Sequence, residues 1–224
     1  MRKLFEGEIY EIVAQPSGVV FSYCRGTDEE RVLVAYKMIS IDSGTITDVA
    51  KNIYMLSKFG SNYRAAAAVV ENYVTAKSLV LSAGSVFVCS SEGEAAFVDD
   101  SGEVSWKGEL KYKGNAPAAI SLYKNSIWAC FTEANALIKY NISTMREELR
   151  IGGARSPFDK PCDIFIEGKT AIVSNIGSNK LIRVDLESYT IEDFMEFNEP
   201  VYSYVSVKNF GFILTESGLY VIKE

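Results

Sequence analysis

Five stretches of this chain are built alike, and a chain that repeats one small pattern can bury each copy only against its neighbours. The pattern is an apolar run, a polar turn and a second apolar run. The first runs are residues 19–22, 86–89, 127–130, 171–174 and 211–214. The polar turns are 25–30, 90–94, 132–135, 175–179 and 215–218, and the second runs are 33–41, 95–98, 137–140, 181–184 and 219–222. Asp42, Asp99, Asn141 and Asp185 follow four of the second runs. Such side chains cap tight turns by accepting backbone N–H groups.

The copies begin at residues 19, 86, 127, 171 and 211, so three of the four intervals are 41, 44 and 40 residues. A period of ~40–45 residues with four short strands per unit marks a β-propeller. Outer strands are expected at 104–110, 147–151 and 191–197. The last copy reaches the final residue without an outer strand, whereas residues 2–5 form a strand ahead of the first inner strand at 9–14. The stretch from Lys3 to Tyr10 matches the run from Asp193 to Tyr202, where an outer strand leads into an inner one. The expected fold is therefore an all-β, five-bladed propeller in one domain, residues 1–224, whose N-terminal strand closes the last blade and covers both sheet edges.

One interval is longer than the rest by about 25 residues. The excess falls at residues 51–75 and reads as an insertion, a helix or a long hairpin. The alanines after Arg64 favour helix. Six blades, one of them degenerate, is the alternative.

Histidine is absent. That removes imidazole bases, Ser-His and Cys-His nucleophile pairs and His-ligated metals. The four cysteines include no CxxC pair and read as small buried hydrophobes. The net charge is −6 with no cluster of basic residues, so nucleic acid is not an expected partner. No apolar run approaches membrane-spanning length, and Glu6 and Glu8 interrupt any leader-like start. No membrane partner and a cytoplasmic location are the expectations.

The unit Pro161-Cys-Asp-Ile-Phe-Ile-Glu-Gly-Lys-Thr-Ala-Ile-Val-Ser-Asn-Ile-Gly-Ser-Asn-Lys-Leu-Ile-Arg-Val-Asp-Leu-Glu-Ser188 resembles the YVTN and NHL propeller repeats. Those run from a proline through an apolar inner strand and a Gly-Ser-Asn turn to a strand ending in Asp. The likeness is partial in the units at 117 and 200 and weak before residue 80. It implies the fold; families with this repeat include sugar lactonases, lyases and protein-binding scaffolds. Calcium-dependent sugar lactonases of this type hold a divalent cation with a Glu near the first inner strand and later Asn and Asp. The positions of the same kind are Glu8, Asn115 and Asp163, with Asp159 as a substitute, and such oxygen ligands suit Ca²⁺ or Mg²⁺. Without that resemblance, no cofactor is expected.

Aligning the inner strands puts Glu11, Ser78, Ala119, Asp163 and Ser203 at one level of the channel. Glu11 and Asp163 are the candidate catalytic pair, since neighbouring carboxylates can separate their pKa values for acid/base work. The turns carry a candidate binding face of Asp28, Glu29, Glu30, Glu92, Glu133, Asn175, Asn179 and Glu216, an acidic rim that would attract cations. Tyr202 and Tyr204, two apart on a strand, are expected to share a face. Trp106 and Trp128 read as packing between blades. The expected function is a non-catalytic binding or assembly scaffold for an unknown protein or a small polar ligand. The alternative is a carboxylate- or Ca-dependent hydrolase, lactonase- or glycosidase-like, at the channel mouth.

Overall fold

The computed structural model describes residues 1–28, 31–70, 72, 75–81 and 84–223. Strand β1 (Arg2–Phe5) comes first and belongs to the last sheet. Blade one is β2 (Ile9–Gln15), β3 (Gly18–Asp28), β4 (Arg31–Ser40) and β5 (Ile46–Asp48). Helices α1 (Lys51–Phe59) and α2 (Tyr63–Ala68) follow. Blade two is β6 (Lys77–Val80), β7 (Val86–Cys89), β8 (Glu94–Val98) and β9 (Val104–Glu109). Blade three is β10 (Ala119–Tyr123), β11 (Ser126–Phe131), β12 (Ala136–Asn141) and β13 (Glu147–Gly152). Blade four is β14 (Pro161–Glu167), β15 (Thr170–Asn175), β16 (Lys180–Asp185) and β17 (Ile191–Glu196). Blade five joins β18 (Val201–Val207), β19 (Phe210–Thr215) and β20 (Gly218–Lys223) to β1.

The fold is the five-bladed propeller expected from the repeat, and β1 closes it. Arg2 lies opposite Val221, Lys3 opposite Tyr220 and Phe5 opposite Leu219. The Phe5 ring then packs against Phe21 and Tyr23 of blade one, each 5.1 Å away between centroids. β1 thus completes one sheet and bonds it to the next.

Each junction between blades holds its own apolar cluster. Phe87, Ile127 and Ile138 fill the gap between blades two and three, and Trp128, Leu137 and Val173 that between three and four. Ile172, Leu181 and Ile213 lie between four and five, and Phe21, Val19 and Phe212 between five and one. The second strands β7 and β11 are buried along their whole length, because neighbouring blades cover both faces. That explains their unbroken apolar sequence.

The junction between blades one and two is different. Elsewhere inner strands of adjacent blades touch directly; here α1 stands between β2 and β6 and contacts both. The insertion supplies Tyr54, Met55, Phe59 and Ala66 to the cluster that Val20 and Val88 line from either side. The alanine run gives only the short α2; the longer helix is α1, with buried Tyr54, Met55, Lys58 and Phe59 at i, i+1, i+4 and i+5. Gly60 ends it at φ +70, its N–H reaching the Leu56 carbonyl.

Three turn caps form where the sequence placed them. The side-chain oxygens of Asp99, Asn141 and Asp185 accept the N–H groups of Ser101, Ser143 and Glu187 at 3.0, 3.0 and 2.9 Å. Asp42 does not act this way. Strand β4 ends at Ser40, and Asp42 pairs with Lys208 at 3.1 Å, so it links blade one to blade five instead. Residues 25–28 are strand rather than turn: β3 and β4 form a hairpin longer than those of the other blades.

Candidate functional site in the central funnel

Three inner strands share one irregularity. Register slips between Ile9 and Glu11, between Pro161 and Asp163, and between Val201 and Ser203. Each slip is a β-bulge, which inserts one extra residue and re-aims the side chains beside it. The bulged residues are Tyr10, Cys162 and Tyr202. The bulge also separates the two tyrosines expected to share a face: Tyr202 is 39% exposed at the channel mouth, while Tyr204 is 3% exposed and packs edge-on against Phe165 and Phe194.

Residues next to the bulges converge. A cavity of about 300 Å³ is lined by Tyr10, Glu11, Lys77, Asp163, Tyr202 and Ser203 among others. Below it the channel widens into about 460 Å³, where Glu11 and Asp163 again line the wall with Ser78 and the α1 residue Lys58. Glu11, Ser78, Ala119, Asp163 and Ser203 therefore all line this channel, and the two carboxylates border both spaces.

The two carboxylates have unlike surroundings. Glu11 Oε2 is 2.6 Å from the ammonium of Lys58, whose side chain is only 2% exposed. It also accepts the hydroxyl of the fully buried Tyr54. Burial, with Glu11 adjacent, holds the Tyr54 phenol far above its ordinary range, so it stays a donor. The Lys58 carbonyl accepts the Ser78 hydroxyl at 2.7 Å, tying α1 to blade two as well. Among the described residues, no cation lies at contact distance from Asp163. It accepts the Ser203 hydroxyl. Burial pushes its carboxyl up to about 6, opposed by Ser203, the Ile164 amide and the more distant Lys77. Burial, then the Asp163 charge, push the Cys162 thiol upward, away from the reactive thiolate.

A second cavity of about 500 Å³ adjoins the first across Tyr10, Tyr202 and Leu214, and brings in Glu8 and Glu216. Burial, Cys24 and Glu8 push the Tyr10 phenol up to about 12, and burial with Glu216 raises that of Tyr202. Glu8 and Glu216 are exposed.

The other predicted positions lie apart. Asn115 is exposed in a turn, its amide donating to the Lys113 carbonyl at 3.3 Å. Asp159 is exposed beside Gly177, and its N–H donates to Asn175 Oδ1 at 3.2 Å. Glu8 lines the second cavity, whose walls include neither Asn115 nor Asp159, and no group of three or more acidic or thiol side chains among the described residues is arranged to hold a metal ion. On the rim, Asp28, Glu92 and Glu133 are exposed, and Asn179 sits in a left-handed turn at φ +57. Asn175 is fully buried and bonds the Val173 carbonyl at 2.9 Å, so it serves the turn and not the rim. Glu29 and Glu30 lie outside the described residues. All four cysteines are free thiols, with Cys89 and Cys130 buried. No helix of the described residues is long and apolar enough to cross a membrane.

Sequence reasoning missed Lys58, Tyr54 and Lys77. It missed the bulges too, although a signal was present: Ile9-Tyr10-Glu11, Pro161-Cys162-Asp163 and Val201-Tyr202-Ser203 place an apolar residue, a large or polarisable one and a polar one at equivalent points of three blades.

No protein-family model matches the chain, and no curated protein does. Solved structures do. A protein of unknown function from Bacteroides caccae superposes with a TM-score of 0.56 at 15% identity, over 96% of this chain and 78% of its own. Virginiamycin B lyase from Staphylococcus aureus gives 0.51 at 14% identity, over 100% and 72%. The computationally designed protein Ika4 gives 0.52 at 11% identity, over 66% and 89%. The chain is built like a propeller-repeat protein. At these identities the likeness speaks to fold alone.

Proposed function

We propose that this propeller is a non-catalytic binding protein that takes a small polar ligand in the funnel between Tyr10 and Tyr202. The observation that carries the reading is the contrast between the two carboxylates. Glu11 is consumed by Lys58 and Tyr54, a structural contact that pins the helical insertion. Asp163, bonded to the Ser203 hydroxyl and paired with no cation among the described residues, lines a concave, partly apolar space, the usual form of a small-molecule site. The acidic rim of Asp28, Glu92, Glu133 and Glu216 adds a field that favours cationic ligands. The test is ligand-observed NMR with an equimolar mixture of small amines, amino acids and monosaccharides. A component that loses signal with the native protein, and regains it with Asp163→Asn and Tyr202→Ala, supports the reading. No component touching the native protein overturns it.

A carboxylate-dependent hydrolase is the second reading, favoured by the raised pKa of Asp163. It requires a second carboxylate free to act, and Glu11 must leave Lys58 to serve. Turnover of p-nitrophenyl glycosides or a γ-lactone, abolished by Asp163→Asn, would select it.

A further inference from the structure

We propose that the funnel is built for a basic α-amino acid; this deepens the binding reading above and rests on it. Opposite charges are set around one continuous space. Lys77 lines the first cavity from blade two, and Asp163 lines it from blade four. Lys77 forms no salt bridge or side-chain hydrogen bond among the described residues. The Lys58–Glu11 pair cancels itself. One cation and one anion on separate walls of the same space match a molecule bearing both charges. A carboxylate directed at Lys77 and an ammonium directed at Asp163 satisfy both in one ligand, while the Ser203 hydroxyl donates to the Asp163 carboxylate.

The adjoining cavity sets the third requirement. It opens over the lip formed by Tyr10 and Tyr202, and its charged groups are Glu8 and Glu216. A side chain leaving the first cavity passes the two exposed rings and meets two carboxylates. A cationic side chain with an aliphatic stem fits that route, because rings attract cations and cover methylenes. Lysine and arginine carry all three groups. A monosaccharide leaves Lys77 and Glu216 unmatched, and a simple diamine leaves Lys77 facing no anion.

The test is isothermal titration calorimetry of the native protein with L-arginine and three analogues. Agmatine lacks the carboxylate, L-citrulline has a neutral side chain of the same shape, and N-acetyl-L-arginine lacks the ammonium. L-arginine is expected to bind, and each analogue to bind at least about tenfold more weakly, the loss for one charge-assisted contact. Lys77→Met is expected to weaken L-arginine to the level of agmatine while leaving agmatine unchanged. Glu8→Gln with Glu216→Gln is expected to bring L-arginine and L-citrulline together. The comparison among analogues uses only the native protein, so it stands even where a variant fails to fold. Equal binding of L-arginine and agmatine overturns the proposal. So does failure of both L-arginine and L-lysine to bind when another component of the NMR mixture occupies the funnel, an outcome that leaves the binding reading intact. If nothing in the mixture binds, both fall.

Discussion

The ammonium of Lys58, at the end of α1, lies 2.6 Å from the Glu11 carboxylate on the inner strand of blade one. A lysine with 2% of its side chain exposed is stable as a cation only when paired and hydrogen-bonded, and removing one partner strands the other. The contact joins the inserted helices to the ring at its centre.

Lys58→Met is therefore expected to lower the unfolding free energy by about 3–5 kcal/mol, read from urea denaturation. The double variant Lys58→Met, Glu11→Gln is expected to recover a large part of that loss, because no buried charge is left alone. A double variant no better than the single one would show that packing, and not charge, is what Lys58 contributes.

Asp163 gives a pH dependence of definite sign. Its folded-state pKa, about 6, lies above its unfolded value of 3.8, so the native state favours the neutral acid. The contribution is complete below about pH 4 and is lost as pH rises through 6. Asp163→Asn stays neutral throughout. The native protein is expected to lose stability relative to this variant between pH 4 and 6, by up to about 3 kcal/mol, with no further change above pH 7. Urea midpoints across that range check it; parallel curves would place the Asp163 pKa near that of a free carboxylate.

The seal between blade five and blade one depends on Phe5, whose ring sits against Phe21 and Tyr23. Phe5→Ala is expected to cost roughly 2–3 kcal/mol, less than a fully buried ring because Phe5 is half-buried. Hydrogen exchange should quicken first in β20, the strand that β1 covers. Uniform acceleration across all five blades would argue against β1 as the seal.

Gly18 has φ +157, and a Cβ there would overlap the carbonyl of Ile39. Gly18→Ala must push the start of β3 from the end of β4, where Gly18 lies opposite Ser40. A loss of roughly 3 kcal/mol or more is expected, seen as a lower thermal midpoint. An unchanged midpoint would mean that the hairpin relaxes freely at this point.

The ring was legible because each blade repeats the same demand. Residues 86–89 and 127–130 are apolar without interruption, which only a strand covered on both faces tolerates, and Asp99, Asn141 and Asp185 punctuate the copies where the turns fall. The pairing of β1 with β20 followed from the likeness of Lys3–Tyr10 to Asp193–Tyr202, and Tyr10 and Tyr202 indeed occupy the same bulge. The site was legible only in part. Glu11 and Asp163 fell at one level because strand period fixes height, but what each touches depends on distant residues. Nothing local to Glu11 announces Lys58, 47 positions away on a helix that the alanine run misplaced. Tyr202 and Tyr204 were misjudged for a related reason: a bulge changes which face a side chain takes without changing composition.

The pairing of Arg2 with Val221 has a consequence for synthesis. β1 is synthesised before the four intervening sheets and its partner β20 after them, so Leu4 and Phe5 must wait, unsheltered, for that partner. Contacts this remote in sequence form late. The fifth blade is thus completed by a segment made before the other four.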